Sequence, residues 1–346
     1  MLYASVQCTR ALKLQIVRGL WIFVLPLIVC AALEVTSSVG KSTGCACPLV
    51  EELSSPPRRS TSVAVCAIFR NEARDLLEWV TYHSLLGIDH FLLYDNESND
   101  APEHVLAPFI EKGVVTLKHW PGAKADEPSP QSLAMKDCVQ VAKIRHIRWI
   151  TVFDIDEFLV VRSTAKNLCV NPRHNTSWSF ELHAALAALE TAHVGAILAD
   201  RYDFGTNGVQ NREAHELQTL TFITRDTDVN IWGKPIVLVK AITRFSGFHK
   251  VNVKNGWHTK SSCKAGKSCA FDFFHYQTRS RMECTAKSHD PRLPKDNWRR
   301  RVGVAECESK RYSKMSDTTL ASSNLVSCIA NIITTGLRQS RGKHSD

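Results

Sequence analysis

Trp149-Ile150-Thr151-Val152-Phe153-Asp154-Ile155-Asp156-Glu157-Phe158 is a short apolar run that ends in three carboxylates. Such a run reads as a fully buried strand, and acids at its carboxyl end lie where open α/β sheets expose their ligand sites. Strand alternation sends Asp154 and Asp156 to one side and Ile155 to the other. Two carboxylates on one side of a sheet edge can share a divalent cation, and that cation can carry phosphate. An acidic turn between two strands is the plainer reading. The Asp-x-Asp alone does not choose between them.

The residues before this stretch supply the fold. Val63 to Phe69 reads as a first buried strand, followed by a helix from Glu72 to Leu86 with Leu76, Val80, Tyr82 and His83 at inward or boundary positions. Gly87 is its stop signal. His90 to Tyr94 is a second strand, Pro102 to Ile110 a short helix, and Val114 to Leu117 a third strand. A Pro/Gly/Asp turn region over 121 to 130 precedes a helix from Gln131 to His146, and Arg148 to Phe153 returns to the sheet. Strands alternating with helices predict an α/β fold with a mixed, mostly parallel sheet flanked by helices. The Gly-x-Gly-x-x-Gly turn of a dinucleotide fold is missing, which argues against NAD or FAD.

Beyond the acids the pattern loosens. Phe180 to Thr191 reads as a helix, Val194 to Leu198 as a strand, and Asp200 to Gly208 as a loop. Leu217 to Thr224, Ile236 to Ile242 and Phe271 to Tyr276 are strand candidates, and the last 15 or so residues read as poorly ordered.

The 346-residue chain carries 43 Lys and Arg against 34 Asp and Glu, a net charge of +9. That excess permits binding to phosphates or anionic lipid. Without zinc-finger spacing or a basic reading helix, nucleic acid stays a minor alternative. At the N-terminus Arg10, Lys13 and Arg18 precede an apolar run from Gly19 to Leu33. Positive charge ahead of a short span predicts a signal-anchor with a lumenal body; a cleaved signal peptide is the close competitor, given Cys30-Ala31-Ala32. Residues 1–18 then form a cytoplasmic tail, 19–33 the membrane segment and 34–61 a Ser/Pro-containing stem. Residues 62–160 and 161–300 form the two halves of the main domain, and 301–346 a partly disordered extension. Sequons begin at Asn96 and Asn175, of which Asn175 is the better acceptor, and twelve cysteines suit an oxidising compartment. Cys263 and Cys269 enclose a short polar loop suited to a disulfide.

Several motifs together resemble glycosyltransferase family 92 and related glycosyltransferase-2-like proteins. These are Val65 to Glu72, Glu78 to His83, Gly87 to Phe91, Tyr94 to Ser98, Trp149 to Leu159, and His275-Tyr276-Gln277-Thr278-Arg279-Ser280. The likeness runs over roughly residues 62 to 290. It implies a GT-A-like fold, a Golgi type II membrane location and transfer of a sugar, galactose from UDP-galactose in members of known activity, with inversion. By this resemblance Asp154 and Asp156 hold Mn²⁺, with Mg²⁺ as the alternative, against the donor diphosphate, and His275 adds a distal metal contact.

Arg279, and less so Arg281, would contact the diphosphate. Arg70, Asn71 and Glu72 close the first strand at the nucleotide crevice, where Asn71 could equally cap the helix. Asp95 ends the second strand and could accept from uracil or ribose. Glu157 would only orient or solvate the strand end. Inversion needs a general base on the face opposite UDP. Asp203, Glu213, Asp226 and Asp228 are eligible, and Asp228 is chosen because Val229 to Trp232 follows it as an acceptor loop. Trp232 and Trp257 could stack on a sugar or fill core. His249 and His258 read first as ordinary polar contacts, while Thr206 or Asn207 would meet the sugar. A noncatalytic lumenal carbohydrate-binding protein and a metal-dependent phosphohydrolase are the competing functions. The partners implied are a nucleotide-sugar donor, a glycan acceptor and a membrane. A homodimer is compatible with the sequence, which names no interface for it.

Overall fold

The computed structural model describes residues 62–122, 128–162, 178–213, 215–261, 270–290, 304–307 and 314–342. The expected tail, membrane segment and stem therefore lie outside the described residues, as do Asn175 and the Cys263 to Cys269 loop. Among the described residues no helix is long and apolar enough to cross a membrane.

The first half alternates as the sequence predicts: β1 (Val63–Phe69), α1 (Ala73–Leu86), β2 (His90–Asp95), α2 (Pro102–Glu111), β3 (Val115–His119), α3 (Pro130–Ile144) and β4 (Trp149–Val152). Then come β5 (Glu157–Val161), α4 (Trp178–Thr191), β6 (Val194–Asp203), the single turn α5 (Gln218–Thr221) and β7 (Thr224–Arg225). β8 (Asn230–Leu238), β9 (Ile242–Phe245), β10 (Val251–Val253), β11 (His258–Ser261) and β12 (Phe271–His275) follow. The chain ends with α6 (Arg281–Ser288), α7 (Val304–Cys307), β13 (Met315–Ser316) and α8 (Asn324–Gly342).

The main sheet has the order β3-β2-β1-β4-β8-β6-β12-β5, with β11 paired to β6. β1, β2, β3 and β4 are mutually parallel, β8 is antiparallel to both β4 and β6, and β12 is parallel to β6 but antiparallel to β5. One connection fixes the shape. β4 and β5 stand four places apart, yet the chain from Val152 to Glu157 takes five Cα steps. In a flat sheet four gaps of about 4.8 Å span roughly 19 Å, whereas five fully extended steps reach at most about 18 Å. The link is itself a turn, so its reach is shorter still. The sheet must curl, and the curl brings the ends of β4, β5, β6, β8 and β12 around one point.

Period-two alternation sorts the strands between two cores. Val63, Val65, Ala67 and Phe69 face one side with Trp149 and Phe153, against α1, α2 and α4. Ala64, Cys66, Ile150 and Val152 face the other, against Ala134, Met135, Cys138 and Ala142 of α3. A disulfide joins Cys66 to Cys138 across that second core, and another joins Cys284 to Cys307. α1 is buried nearly all round because it also takes polar partners. Trp79 Nε1 and Tyr82 Oη donate to the carbonyls of Glu157 and Leu159, each at 2.9 Å. Gly87, at φ 110°, closes the helix, and the following Ile88 N–H donates to His83 O at 2.8 Å.

Three expectations are corrected. β6 continues through Asp203, since Asp200 to Asp203 pair in parallel with Asp272 to His275 and the ladder overrides their polarity. Leu217 to Thr224 is a helical turn, not a strand: Glu78 accepts from the N–H groups of Gln218 (2.8 Å) and Thr219 (3.1 Å), capping it. The C-terminal stretch is helical as far as Gly342, because Leu325, Val326, Cys328 and Ile329 form a buried stripe packed near α1.

Candidate functional site

β4 stops at Val152, so Asp154 to Asp156 form the turn into β5 and not an alternating strand. Glu157 N–H donates to Asp154 O (3.0 Å), and Asp154 N–H donates to Glu157 Oε2 (2.9 Å). The two aspartates differ in setting. The Asp154 side chain is 41% exposed, that of Asp156 only 5%. Glu157, expected to be a solvated or orienting acid, is completely buried.

Each carboxylate has a cation beside it. Lys234 on β8 places Nζ 2.8 Å from Glu157 Oε2 and 3.1 Å from Asp154 Oδ2. Lys287 on α6 lies 3.2 Å from Asp156 Oδ2 and 2.9 Å from Glu72 Oε1. His275, at the end of β12, sits between Asp156 and Asp203. Its Nδ1 donates to Asp203 Oδ1 at 2.9 Å, and its Nε2 is 3.5 Å from Asp156 Oδ1. Asp203 also accepts from Asn230 Nδ2 (2.6 Å) and faces Arg201 Nε (3.0 Å). Tyr276 N–H, donating to Asp156 O at 2.8 Å, ties the end of β12 to the acidic turn.

These neighbours decide the charge states. Burial pushes Asp156 upward, but Lys287 and His275 beside it hold it well below the usual carboxylate range. Asp154 is likewise pulled down, by Lys234 against burial. Burial and Arg201 pull His275 down, while Asp156 and Asp203 raise it, with a net rise. Lys234 rises because Asp154 and Glu157 outweigh its desolvation.

The remaining candidates separate clearly. Glu72 is buried and bound to Arg279 and Lys287. Arg279 is itself buried, adopts φ 50°, and lies 3.0 Å from Asp75 through Nη1. It is a network residue, not part of a solvated basic turn, although its Nε and Nη2 find no hydrogen-bond partner among the described residues. Arg212 continues the network to Asp75 and Glu283, both at 2.7 Å. Arg70 pairs with Asp290 (3.0 Å). Asn71 is exposed at φ 54° and braces the loop after β2 by accepting from Asn99 N–H; the helix N-cap is Glu72. Asp95 Oδ1 accepts from Ser98 N–H in the same loop. The Asn96 amide donates to Trp120 O, which occupies that sequon. Arg281 and Glu213 are exposed.

Asp226 is buried against Lys314, whereas Asp228 is exposed two residues before Asn230. Trp232 belongs to β8, not to a loop; it is 49% exposed and its ring lies 5.5 Å from that of His249. Trp257 and His258 fall at the other end of β6, beside His193 and Val194, and are removed from the acids. Asn207, at φ 53°, donates to Thr221 O and Thr206 Oγ1 accepts from Gly208 N–H, so both serve the loop after β6.

The sequence reading missed Lys234 and Lys287. Lys234 did carry a signal, a lysine directly preceding the apolar Pro235-Ile236-Val237-Leu238. Nothing marks Lys287 on its short polar helix.

As a cation site, the chemistry fits in part. Asp156 and Asp154 offer hard oxygens, and His275 has the Nδ1-to-carboxylate contact that orients a metal-ligating imidazole. Among the described residues, however, no three ligand-type side chains are drawn together tightly enough to enclose an ion. Phosphate oxygens or water would have to complete the set.

Residues 59–184 match the family model described as Glycosyltransferase family 92. A glycosyltransferase family 92 protein of Oryza sativa subsp. japonica is 34% identical over 123 residues, covering 34% of this chain and 20% of that one. Another, from Arabidopsis thaliana, is 28% identical over 158 residues, covering 42% and 24%. The match is confined to that part of the chain, and the motif from His275 to Ser280 lies beyond it. The matched stretches span a fifth to a quarter of these relatives' length. Among solved structures, S. aureus TarS 1-349 in complex with UDP-GlcNAc has 9% identity and a TM-score of 0.35, covering 62% of this chain and 58% of that one. A likeness that slight carries no argument.

Proposed function

We propose that this chain, matching glycosyltransferase family 92 over residues 59–184, is a glycosyltransferase. In this reading it transfers a sugar, galactose from UDP-galactose, to a glycan acceptor with inversion and with the help of Mn²⁺. The observation that carries the proposal is the Asp156, His275 and Asp203 cluster at the curled end of the sheet, next to the Asp154 turn. A divalent cation held there would supply charge stabilisation for a departing nucleoside diphosphate.

The protein's own groups then have separate work. Asp156 and His275 would bind the cation, Asp203 would fix the imidazole, and the exposed Asp154 would be drawn in by the ion alongside phosphate oxygens or water. Lys234 and Lys287 keep Asp154 and Asp156 ionised. Trp232, two residues before Lys234 on β8, would offer its exposed ring to the acceptor. Asp228 is the base in this reading, since it is exposed while Asp203 and Asp226 are committed to partners. Two disulfides agree with an oxidising lumen and so with a Golgi type II protein.

The test is transfer by the purified full chain from a panel of UDP-sugars with and without Mn²⁺, alongside Asp154→Asn and Asp156→Asn. Mn²⁺-dependent transfer lost in both variants is expected. UDP release that ignores the acceptor would point to a phosphohydrolase, and full transfer by both variants would remove the acids from the mechanism.

A further inference from the structure

At the end of the sheet opposite the acids, Ser62 leads into β1, Arg148 into β4, and Lys240 follows β8. Ser62 O accepts from the N–H groups of Arg148 (3.2 Å) and Trp149 (3.0 Å), and Val239 N–H donates to Arg148 O (2.9 Å). The last turn of α3 and the turn after β10 reach the same place. Together they bound a cavity of about 610 Å³ whose lining includes Lys143, His146, Arg148, Lys240 and Lys254.

The charge balance here is one-sided. Glu190 accepts from Arg148 Nε (2.7 Å) and Lys240 Nζ (2.5 Å), so it holds those two cations in place while neutralising one charge. Lys240 also lies 5.2 Å over the Trp257 ring. Among the described residues the ammonium groups of Lys143 and Lys254 meet no carboxylate. The four Lys and Arg lining residues against this one acid leave three positive charges. A basic residue in the last turn of a helix is favoured by the helix dipole, which accounts for Lys143 alone. The others arrive from β4, β8 and the turn after β10, and no helix end explains their meeting.

We propose that this cavity binds an oligoanion of the phosphate or sulfate class, presented free in solution or on a lipid headgroup. Cations brought from four segments around a concave site raise the local concentration of such a ligand, and exposed side chains can adjust to it. The site is independent of the acids and of the proposed transfer reaction.

The experiment uses the full chain with a chelator present, so that the acids cannot recruit an anion through a metal. Titration with inorganic tripolyphosphate should give saturable binding that weakens at high salt. In the double variant Lys143→Ala and Lys254→Ala it should weaken by about tenfold or more, since two of the cations that face the anion are removed. Both lysines are exposed, and circular dichroism checks that the double variant is folded. Co-sedimentation with phosphatidylcholine vesicles containing phosphatidic acid, lost in the same double variant, would identify a headgroup; tripolyphosphate binding without it would identify a free anion. No binding by the unaltered protein, or equal binding by the double variant, would overturn the proposal.

Discussion

His275 Nδ1 stands 2.9 Å from Asp203 Oδ1, which turns the opposite ring nitrogen toward Asp156. An ionised carboxylate only accepts, so the proton lies on Nδ1 and the ring orientation is fixed by Asp203. For a cation bound at Asp156 and His275, Asp203→Asn should lower Mn²⁺ affinity about 10- to 100-fold. Calorimetric titration of Mn²⁺ into both proteins measures it, with unfolding midpoints as the check on folding. Unchanged affinity would leave the contact a purely structural one.

Among the described residues Lys234 is the single ammonium between Glu157 and Asp154, and it is buried. Replacing it by Met leaves Glu157 fully buried, with Arg201 as its remaining cation at 3.9 Å. Stranding a buried charge costs about 3–5 kcal/mol, so Lys234→Met should lower unfolding stability by that order. Adding Glu157→Gln should restore most of it. A single variant as stable as the parent in urea would show that solvent reaches Glu157 after all.

Glu78 and His83 share α1 and oppose each other in pH. Burial, eased by Thr219 and Gln218, raises Glu78 from 4.5 to about 7. Its stabilising effect is complete below 4.5 and is lost as pH rises through 7. Burial lowers His83 from 6.5 to about 3; it donates through Nδ1 to Trp79 O and accepts from Leu159 N–H through Nε2 as the neutral ring. Its effect is complete above 6.5 and is lost as pH falls toward 3. Between 4.5 and 6.5 the two slopes, each about 1.4 kcal/mol per pH unit, cancel. Glu78→Gln should therefore expose the histidine slope, with stability falling by about 3 kcal/mol more than in the parent from pH 6.5 to 4.5. Equal losses in urea titrations at both pH values would mean that Glu78 holds no proton in the folded protein.

Much of the first half was legible because its signals are local. Apolar runs and the Gly87 stop each constrain a few neighbouring residues, and the observed bounds lie within a residue or two of those read from them. The second half depends on distant partners. Asp200 to Asp203 are too polar to read as strand until β12 lies alongside, and Leu217 to Thr224 bends into a turn because Glu78 caps it from another helix. The acids themselves could be found as a cluster, but their geometry could not. Only the curl that carries β5 around the sheet end explains why Asp154 is open, Asp156 covered and Glu157 buried. Gly233 illustrates the same point. A side chain there would drive Cβ into Ala199 O, a clash set by the β6–β8 pairing and invisible in sequence.

Trp232 offers the sharpest separation of binding from folding. Nearly half of it is exposed, and it lies on β8 two residues before Lys234, whose ammonium reaches Asp154. Truncation to Ala should cost about 1–3 kcal/mol of unfolding stability, since half of the ring is buried, and leave the protein folded. A ring stacked on a sugar is worth about 1.5 kcal/mol, so the acceptor KM should rise about tenfold while the donor KM stays put. Trp257→Ala is the matched control. Its indole is partly buried against the main core, with His193 and Lys240 beside it. That variant should lose stability without moving either KM, because the ring stands at the wrong end of β6. Should Trp232→Ala leave the acceptor KM unchanged, the exposed ring has no part in the acceptor site and the binding face must be sought elsewhere on the rim.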